Sequence, residues 1–426
     1  MVSCRIIGVS ASDQRAARYA LAILTFINLF NYLDRSIVAA LVESIKKSEL
    51  HLSDTQLGFV ASGFIIVYTL TSPIFGTLGD RRARPPLIAL GVAIWSVATA
   101  LAGFARGFTT LFIARSTVGV GEAAYGTIAP ALLSDHFPIE RRGRVLAVFF
   151  SAIPIGSAAG YVLGGIVDKA LGWRAAFWIA GAPGVMLSIL VLKVFDPPRG
   201  AQDVESRPSR AADDAQRRAL LHWYTAYLDL FRNSPYILTV LGYGAYTFAL
   251  GGLAFWMPAF LERSRGMPRT EATILFGAIA VGTGFTGTFA GGWLGDLLLR
   301  RTKSAYLWVS GIATLLAAPM TYVALSNPNR TVYLTAIVIA EVLIFMCTGP
   351  VNSAIVNAVA PGERATALGL SVLVMHLVGD IPSPPLIGAL SDASSLERAF
   401  LLVPVAIVIS GCIWTYAAWR GDRAVA

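Results

Sequence analysis

The sequence predicts an all-α integral membrane protein, with twelve transmembrane helices in two pseudo-symmetric six-helix bundles. Three observations carry this. The 426 residues are 55% hydrophobic and only 14% charged, where soluble chains run to about 25% charged. Apolar stretches recur along the whole chain, and about 20 such residues span ~30 Å of hydrocarbon. The second half also echoes the first: "GTLGDRRAR" (76–84) and "GWLGDLLLRR" (292–301) both read G-x-L-G-D followed by basic residues.

In chain order the spans are read at 17–43, 55–78, 86–105, 108–134, 143–168, 174–195, 235–261, 271–298, 304–325, 331–358, 365–391 and 396–419. The Gly and Pro inside them are tolerated where neighbouring helices satisfy the freed backbone groups. "LSDTQL" (52–57) offers a capping box, Ser53 with Gln56, ahead of the second span. The polar stretch 196–233 is too charged to span and too short for a domain. It reads as a cytoplasmic linker, with "ALLHWYTAYLDLF" (219–231) as an amphipathic interfacial helix. The division is therefore 1–195 for one bundle, 196–233 for the linker and 234–426 for the other. A looser echo pairs "FPIERRGRVLAV" (137–148), before the fifth span, with "APGERATALGL" (360–370), before the eleventh. Duplicated six-helix halves place a substrate site at their interface.

Orientation follows from Lys and Arg. With the N-terminus inside, most of the 34 basic residues face the cytoplasm, so both termini are expected there. Topology then accounts for the net charge of +9, and no nucleic-acid partner is implied. The first 20 residues lack a continuous apolar run followed by a small-residue cleavage site, so no cleaved signal peptide is expected. Cys4, Cys347 and Cys412 lie too far apart to suggest a disulfide framework or a metal site, and no cofactor is implied. The histidines (51, 136, 222 and 376) are scattered, and no nucleophile triad, metal-ligand spacing or phosphate loop argues for a membrane enzyme. A channel is a further alternative, which saturable, counter-flow-stimulated flux would exclude.

The loop at 76–84 resembles the signature loop of the major facilitator superfamily. Six further stretches are similar to the spinster family of sphingolipid and lysolipid transporters. They are "NYLDRSIVA" (31–39), "RSTVGVGEAAYGTIAP" (115–130), "AIPIGSAAGYVLGG" (152–165), "GGLAFWMP" (251–258), "EVLIF" (341–345) and "HLVGDIPSPPLIGALSD" (376–392). Two departures stand out. Ala83 replaces the usual Gly of the signature loop, and Tyr161 sits where drug antiporters carry Pro. The resemblance implies alternating access by rocking bundles around a cavity lined by the first, fourth and seventh helices, among others. It also implies an amphipathic anionic cargo, a lysophospholipid or a sphingoid phosphate, moved with proton coupling. The alternative is a proton symporter of small organic anions such as sugar acids, since "NYLDRS" also suits that branch. The compact chain suggests a bacterial inner-membrane protein, and a monomer is expected.

Against that background the charges inside the spans become candidate site residues. A charge at bilayer depth costs roughly 2.5–3.5 kcal/mol on insertion scales. Asp34 and Arg35 nevertheless sit side by side in the first span, and Arg115 and Glu122 are seven apart on one face of the fourth. At ~1.5 Å per residue all four fall within one depth band. Gly119 near that face leaves room for close approach or for substrate. Either the four form a static ion-pair lock, or they handle protons and anions. In the second case Glu122 or Asp34 titrates, and Arg35 and Arg115 attract an anionic headgroup. Glu341 in the tenth span is a third candidate acid, or a polar anchor.

His376 and Asp380, four apart in the eleventh span, form a possible proton relay or a packed pair, beside the kinking prolines of "DIPSPP" (380–385). Asp80, Arg81, Arg84 and Asp296 in the two G-x-L-G-D loops are candidate gates, with the aspartates facing helix N-termini in one state. Gly156, Gly160, Gly164 and Gly165 make a ridge for close helix packing. The seventh span carries no charge between 237 and 260 but does carry Tyr243, Tyr246, Phe248, Phe255 and Trp256. Such a stripe is either lipid-facing or packed core, or it faces the cavity, where Tyr246, Phe255 and Trp256 form an apolar wall opposite the charged one, which suits an amphipathic substrate.

Overall fold

The computed structural model describes residues 11–202, 230–359 and 364–423. The interfacial helix expected at 219–231 lies, but for its last two residues, outside the described residues. Six helices make up the first half: α1 (Ala11–Lys47), α2 (Asp54–Arg81), α3 (Arg84–Ala102), α4 (Phe108–His136), α5 (Ile139–Leu171) and α6 (Trp173–Val191). The second half begins with α7 (Ser234–Arg263), α8 (Arg269–Leu298) and α9 (Ala305–Ser326). Its last three helices are interrupted. α10 runs Arg330–Phe345 and Thr348–Asn357, α11 runs Arg364–Met375, a π turn His376–Asp380 and Ser383–Ala393, and α12 runs Leu396–Ala399 and Leu402–Arg423.

Each interruption has a proline at its far side. Pro350 has no N–H for the carbonyl of Met346, so α10 breaks there, although the sequence reads as one span. That carbonyl turns toward α8, where a Cβ on Gly291 would lie 1.9 Å from it. Pro382, Pro384 and Pro385 likewise open the last segment of α11. The expected capping box at α2 is present, with Ser53 accepting from the Gln56 amide at 3.2 Å.

Eleven of the twelve helices, among the described residues, have the length and apolarity of a membrane span. α4 is the exception, because Arg115 and Glu122 interrupt its apolar stretch. Large side chains such as Leu70, Phe289 and Trp293 stand about 70% exposed, a surface that a hydrocarbon environment favours and water does not. The chain is an integral membrane protein.

Glycines set how closely the helices approach. α5 lies on α1 with its ridge inward, and a Cβ on Gly160 would fall 2.3 Å from the Leu33 carbonyl oxygen. Gly119 seats α4 on α2, its missing Cβ 2.5 Å from the Phe64 carbonyl. Between the halves, α2 packs on α11, α5 on α8 and α1 on α7. One apolar core runs across both halves through Leu41, Leu57, Phe260 and Ile387, at the pole where α1 ends and α2 begins. A second core, with Ile88, Leu132 and Val191, belongs to the first half.

At the shared-core pole the halves are also tied by charge. Arg263 of α7 donates to Glu43 at 3.1 Å and to Asp54 at 2.6 Å. Arg269 of α8 donates to Asp168 at 2.6 Å. Asp392 of α11 accepts from the backbone N–H groups of Asp54 and Thr55 at 2.9 and 2.8 Å, capping α2 from the other half. We refer to this end as the closed pole.

Candidate functional site

Below the closed pole a cavity of about 310 Å³ lies between the halves, walled by α1, α2, α4 and α5 on one side and α7 and α11 on the other. α1 and α4 bring their four charges together in crossed pairs. Arg115 Nη1 donates to both carboxylate oxygens of Asp34, at 3.1 and 3.0 Å, and Nη2 donates to the Asp34 carbonyl at 3.3 Å. Arg35 Nε donates to Glu122 Oε2 at 2.6 Å. The other oxygen of Glu122, Oε1, is buried without a hydrogen-bond partner.

The four are not equivalent. The side chains of Arg115, Asp34 and Glu122 are 3%, 2% and 0% exposed, while that of Arg35 is 26% exposed. Arg115 also borders the cavity, but its fork is spent on Asp34, so Arg35 is the most exposed charge of the group. The guanidinium of Arg35 sits 4.8, 5.0 and 4.9 Å from the ring centroids of Tyr32, Phe64 and Tyr68. Such cation–π contacts stabilise a cation away from bulk water. Gly119 makes this possible by admitting the α2 backbone that carries Phe64 and Tyr68, so its room is used for helix packing.

The aromatic wall is therefore not where the sequence places it. Of the three aromatics expected on α7, Phe255 lines the cavity. Tyr246 instead donates its hydroxyl to the Ile344 carbonyl at 3.0 Å, and Trp256 donates Nε1 to the Pro384 carbonyl at 3.0 Å. Both are buried in contacts to other helices, where a polar ring atom needs a partner. Tyr32, Phe64, Tyr68 and Tyr161 line the cavity in their place, from the first half. Tyr32 stands three residues before Arg35, a helical spacing that could have pointed to it.

Glu341 lies outside this cavity. It is buried in α10 and accepts from the Thr283 hydroxyl at 2.8 Å, with no cation paired to it among the described residues. His376 and Asp380 do reach the cavity, with Nδ1 2.9 and 3.0 Å from the two carboxylate oxygens. The π turn closes from the Ile381 N–H to the His376 carbonyl at 3.1 Å.

At the other pole, Asp80 and Arg81 are exposed at the end of α2. Arg84 is buried, bound to Asp135 at 2.6 Å and Asp196 at 2.7 Å. Arg199 donates to the carbonyls of Gly79 and Arg82 at 2.7 and 2.6 Å. Residues 196–199 thus strap the signature loop to its own half. Burial alone would raise the Asp196 carboxyl, but the hydrogen bonds and charge of Arg84 outweigh it and hold it below the usual range. Asp296, at the equivalent end of α8, accepts from the Tyr306 hydroxyl at 2.9 Å.

Two helical halves with a charged cavity between them define a secondary transporter. A model described as the Major Facilitator Superfamily matches residues 24–384, and the chain belongs to that superfamily. Within it the chain belongs to the spinster family. It is 34% identical over 430 aligned positions to protein spinster homolog 3 of Danio rerio, covering 94% of this chain and 84% of that one. It is 35% identical to protein spinster homolog 1 of Homo sapiens, covering 87% and 72%. A crystal structure of a bacterial homolog of human lysosomal spinster, inward-facing and unoccupied, superposes with a TM-score of 0.85 at 23% identity, over 96% of this chain and 98% of that one.

Proposed function

We propose that this transporter carries a single-chain anionic lipid, of the lysophospholipid or sphingoid phosphate type, driven by protons. The observation that supports this most directly is Arg35. It projects into the cavity among aromatic rings while Glu122, buried and half-satisfied, holds it from behind. A proton taken up by Glu122 removes the carboxylate charge and frees the guanidinium for a phosphate, which Arg can grip with two N–H groups. Loss of the proton re-forms the pair and expels the headgroup. Arg115 and Asp34 form the frame that keeps α1 and α4 in register during this exchange, and Glu341 is a second proton site, in the other half. Tyr32, Phe64, Tyr68 and Phe255 accommodate the adjoining apolar part of the cargo, which suits a lipid better than a sugar acid.

In this reading the closed pole faces away from the cytoplasm, the cavity opens to the cytoplasm, and both termini lie on that side of a bacterial inner membrane. Asp80, Arg81, Arg84 and Asp296 then act when the cavity opens to the far side. Asp80 meets the N-terminus of α11 and Asp296 that of α5, while Arg84 keeps the loop anchored throughout. The protein works as a monomer, since each chain has its own cavity.

The test is uptake by proteoliposomes of the purified chain, with a panel of lysolipids offered with and without a pH gradient and a hexuronate as competitor. Gradient-stimulated, saturable lysolipid uptake that hexuronate leaves unchanged is expected. Hexuronate uptake that lysolipids do not compete with would overturn the lipid assignment.

A further inference from the structure

The half of the cavity wall that does not carry Arg35 has its own charged group. His376 and Asp380 project from the π turn of α11, their side chains 16% and 22% exposed. An ionised carboxylate offers about four acceptor positions, and the His376 imidazole fills at most two of those on Asp380. Among the described residues no Lys or Arg pairs with Asp380, and no further titratable side chain is hydrogen-bonded to either member. Tyr243 of α7 is the titratable group that faces Asp380 from a neighbouring helix. A proton relay would need a next carrier in hydrogen-bond reach, and a merely packed pair would not need to face the void.

The charges can be counted. Arg115 cancels Asp34 and Arg35 cancels Glu122. Asp380 is the carboxylate in the cavity wall, and among the described residues no Lys or Arg cancels it. The turn is held close against α7, where a Cβ on Gly251 would lie 2.7 Å from the Asp380 Cβ and 3.1 Å from its Cα. Ser62 of α2 donates to the Ile381 carbonyl at 2.5 Å, so the turn sits at the seam between the halves.

We propose that Asp380, oriented by His376, is the subsite for a protonated amine on the cargo. A single substrate then spans the cavity, with phosphate at Arg35 on one half and ammonium at Asp380 on the other. The site favours an ammonium that still carries N–H donors, because a quaternary ammonium can offer charge but no hydrogen bond. This rests on the reading that Arg35 takes the phosphate.

The experiment compares three lysolipids with one acyl chain: lysophosphatidylethanolamine, lysophosphatidylcholine and lysophosphatidic acid. Each competes for uptake into proteoliposomes of the full chain. Wild type is expected to half-saturate at about tenfold lower ethanolamine lipid than lysophosphatidic acid, as fits a charge-assisted hydrogen bond, with the choline lipid between. Asp380→Asn is expected to bring the three within about twofold of one another, and Asp380→Glu to recover part of the preference. His376→Gln, which removes the imidazole that orients the carboxylate, should erode the same ratio and serves if Asp380→Asn does not fold. A ratio unchanged in both variants, or equal use of the three lipids by wild type, would overturn the subsite while leaving the lipid reading intact. Wild type that takes up none of the three overturns both.

Discussion

Arg35 and Glu122 meet at 2.6 Å across the α1–α4 contact, yet Glu122 keeps one oxygen without any partner in a fully buried setting. Leaving a buried acceptor unmade costs about 1–3 kcal/mol, a cost that a purely structural lock has no need to carry. A proton on Glu122 would remove the carboxylate charge and so weaken its hold on Arg35. Glu122→Gln imitates the protonated form permanently. Gradient-driven uptake is expected to fall about tenfold or more, the size of a typical coupling free energy, while exchange of cargo without a gradient persists. Full gradient-driven uptake by the variant would falsify the role given to Glu122.

The closed pole depends on Arg263, which holds Glu43 and Asp54 together from the other half. Without it Glu43 keeps Lys47 at 3.6 Å and Asp54 keeps Lys46 at 2.7 Å, both from their own half, so what is lost is the cation that ties the halves together. A loss of about 1.4 kcal/mol shifts a two-state equilibrium tenfold. Arg263→Ala should therefore open this pole. The measurement is maleimide labelling of a cysteine placed at Val60, on the cavity wall, in a background with the native cysteines replaced. Labelling from the closed-pole side should accelerate by at least tenfold, and an unchanged rate would show that the apolar core alone holds the pole.

Much of this was legible in the sequence, for physical reasons. Twelve apolar runs fix the spans because hydrocarbon thickness sets helix length. The four charges of α1 and α4 announce themselves because bilayer depth makes them costly. Their pairing was not legible, because helix spacing gives depth and face but not which guanidinium reaches which acid. Arg115 and Arg35 have equal chemistry in the sequence, and only packing spends one on Asp34 and exposes the other. The α7 aromatics failed for a related reason. A charge-free helix has no polar marker of its inward face, and Trp256 is fixed by a carbonyl of α11 that no local pattern reveals. The network of Arg263, Arg269 and Asp392 was missed because its members sit at helix ends, where charged residues are ordinary.

Phe255 and Trp256 are neighbours in sequence with different surroundings. Phe255 borders the cavity, whereas Trp256 is sealed and bonded to Pro384. Phe255→Ala is expected to raise the half-saturating cargo concentration several-fold with little loss of thermal stability. Trp256→Phe removes a buried hydrogen-bond donor at a cost of about 1 kcal/mol and should lower the melting temperature while half-saturation stays near wild type. Reversed outcomes in detergent melting and uptake assays would mean that Trp256 turns toward the cargo in the working protein.

Asp196 gives a pH dependence of known sign. It accepts from the Arg84 backbone N–H at 3.0 Å and from Nε at 2.7 Å, and its carboxyl is held below the usual range. A carboxyl depressed in the folded state contributes stability above its unfolded value, and that stability is lost as pH falls through the folded value. The strap over the signature loop should therefore hold from neutral pH down past the ordinary carboxylate range and release only in stronger acid. Hydrogen exchange at the Arg84 amide, followed from pH 7 downward, should show protection throughout that range, and Asp196→Asn should weaken it already at pH 7. Loss of protection near pH 6 would point to a histidine instead, with His136, bonded to the Phe195 carbonyl, the nearest to the strap.

Glycine at 160 and glycine at 349 are both helical, and local propensity treats them alike. Alanine in place of either should stabilise an exposed helix by roughly 0.5–1 kcal/mol. Their surroundings separate them. A methyl at 160 would stand 2.3 Å from the Leu33 carbonyl oxygen, a backbone atom that cannot rotate away, while a methyl at 349 meets nothing within 4 Å. Gly160→Ala must therefore push α5 off α1, and such overpacking costs about 1–3 kcal/mol. That displacement also moves the ridge on which α1 carries Asp34 and Arg35. Gly160→Ala is expected to lower the melting temperature by several degrees and to reduce uptake, and Gly349→Ala to match or slightly exceed wild type in stability. Equal melting temperatures for the two variants would show that α1 and α5 are not in backbone contact.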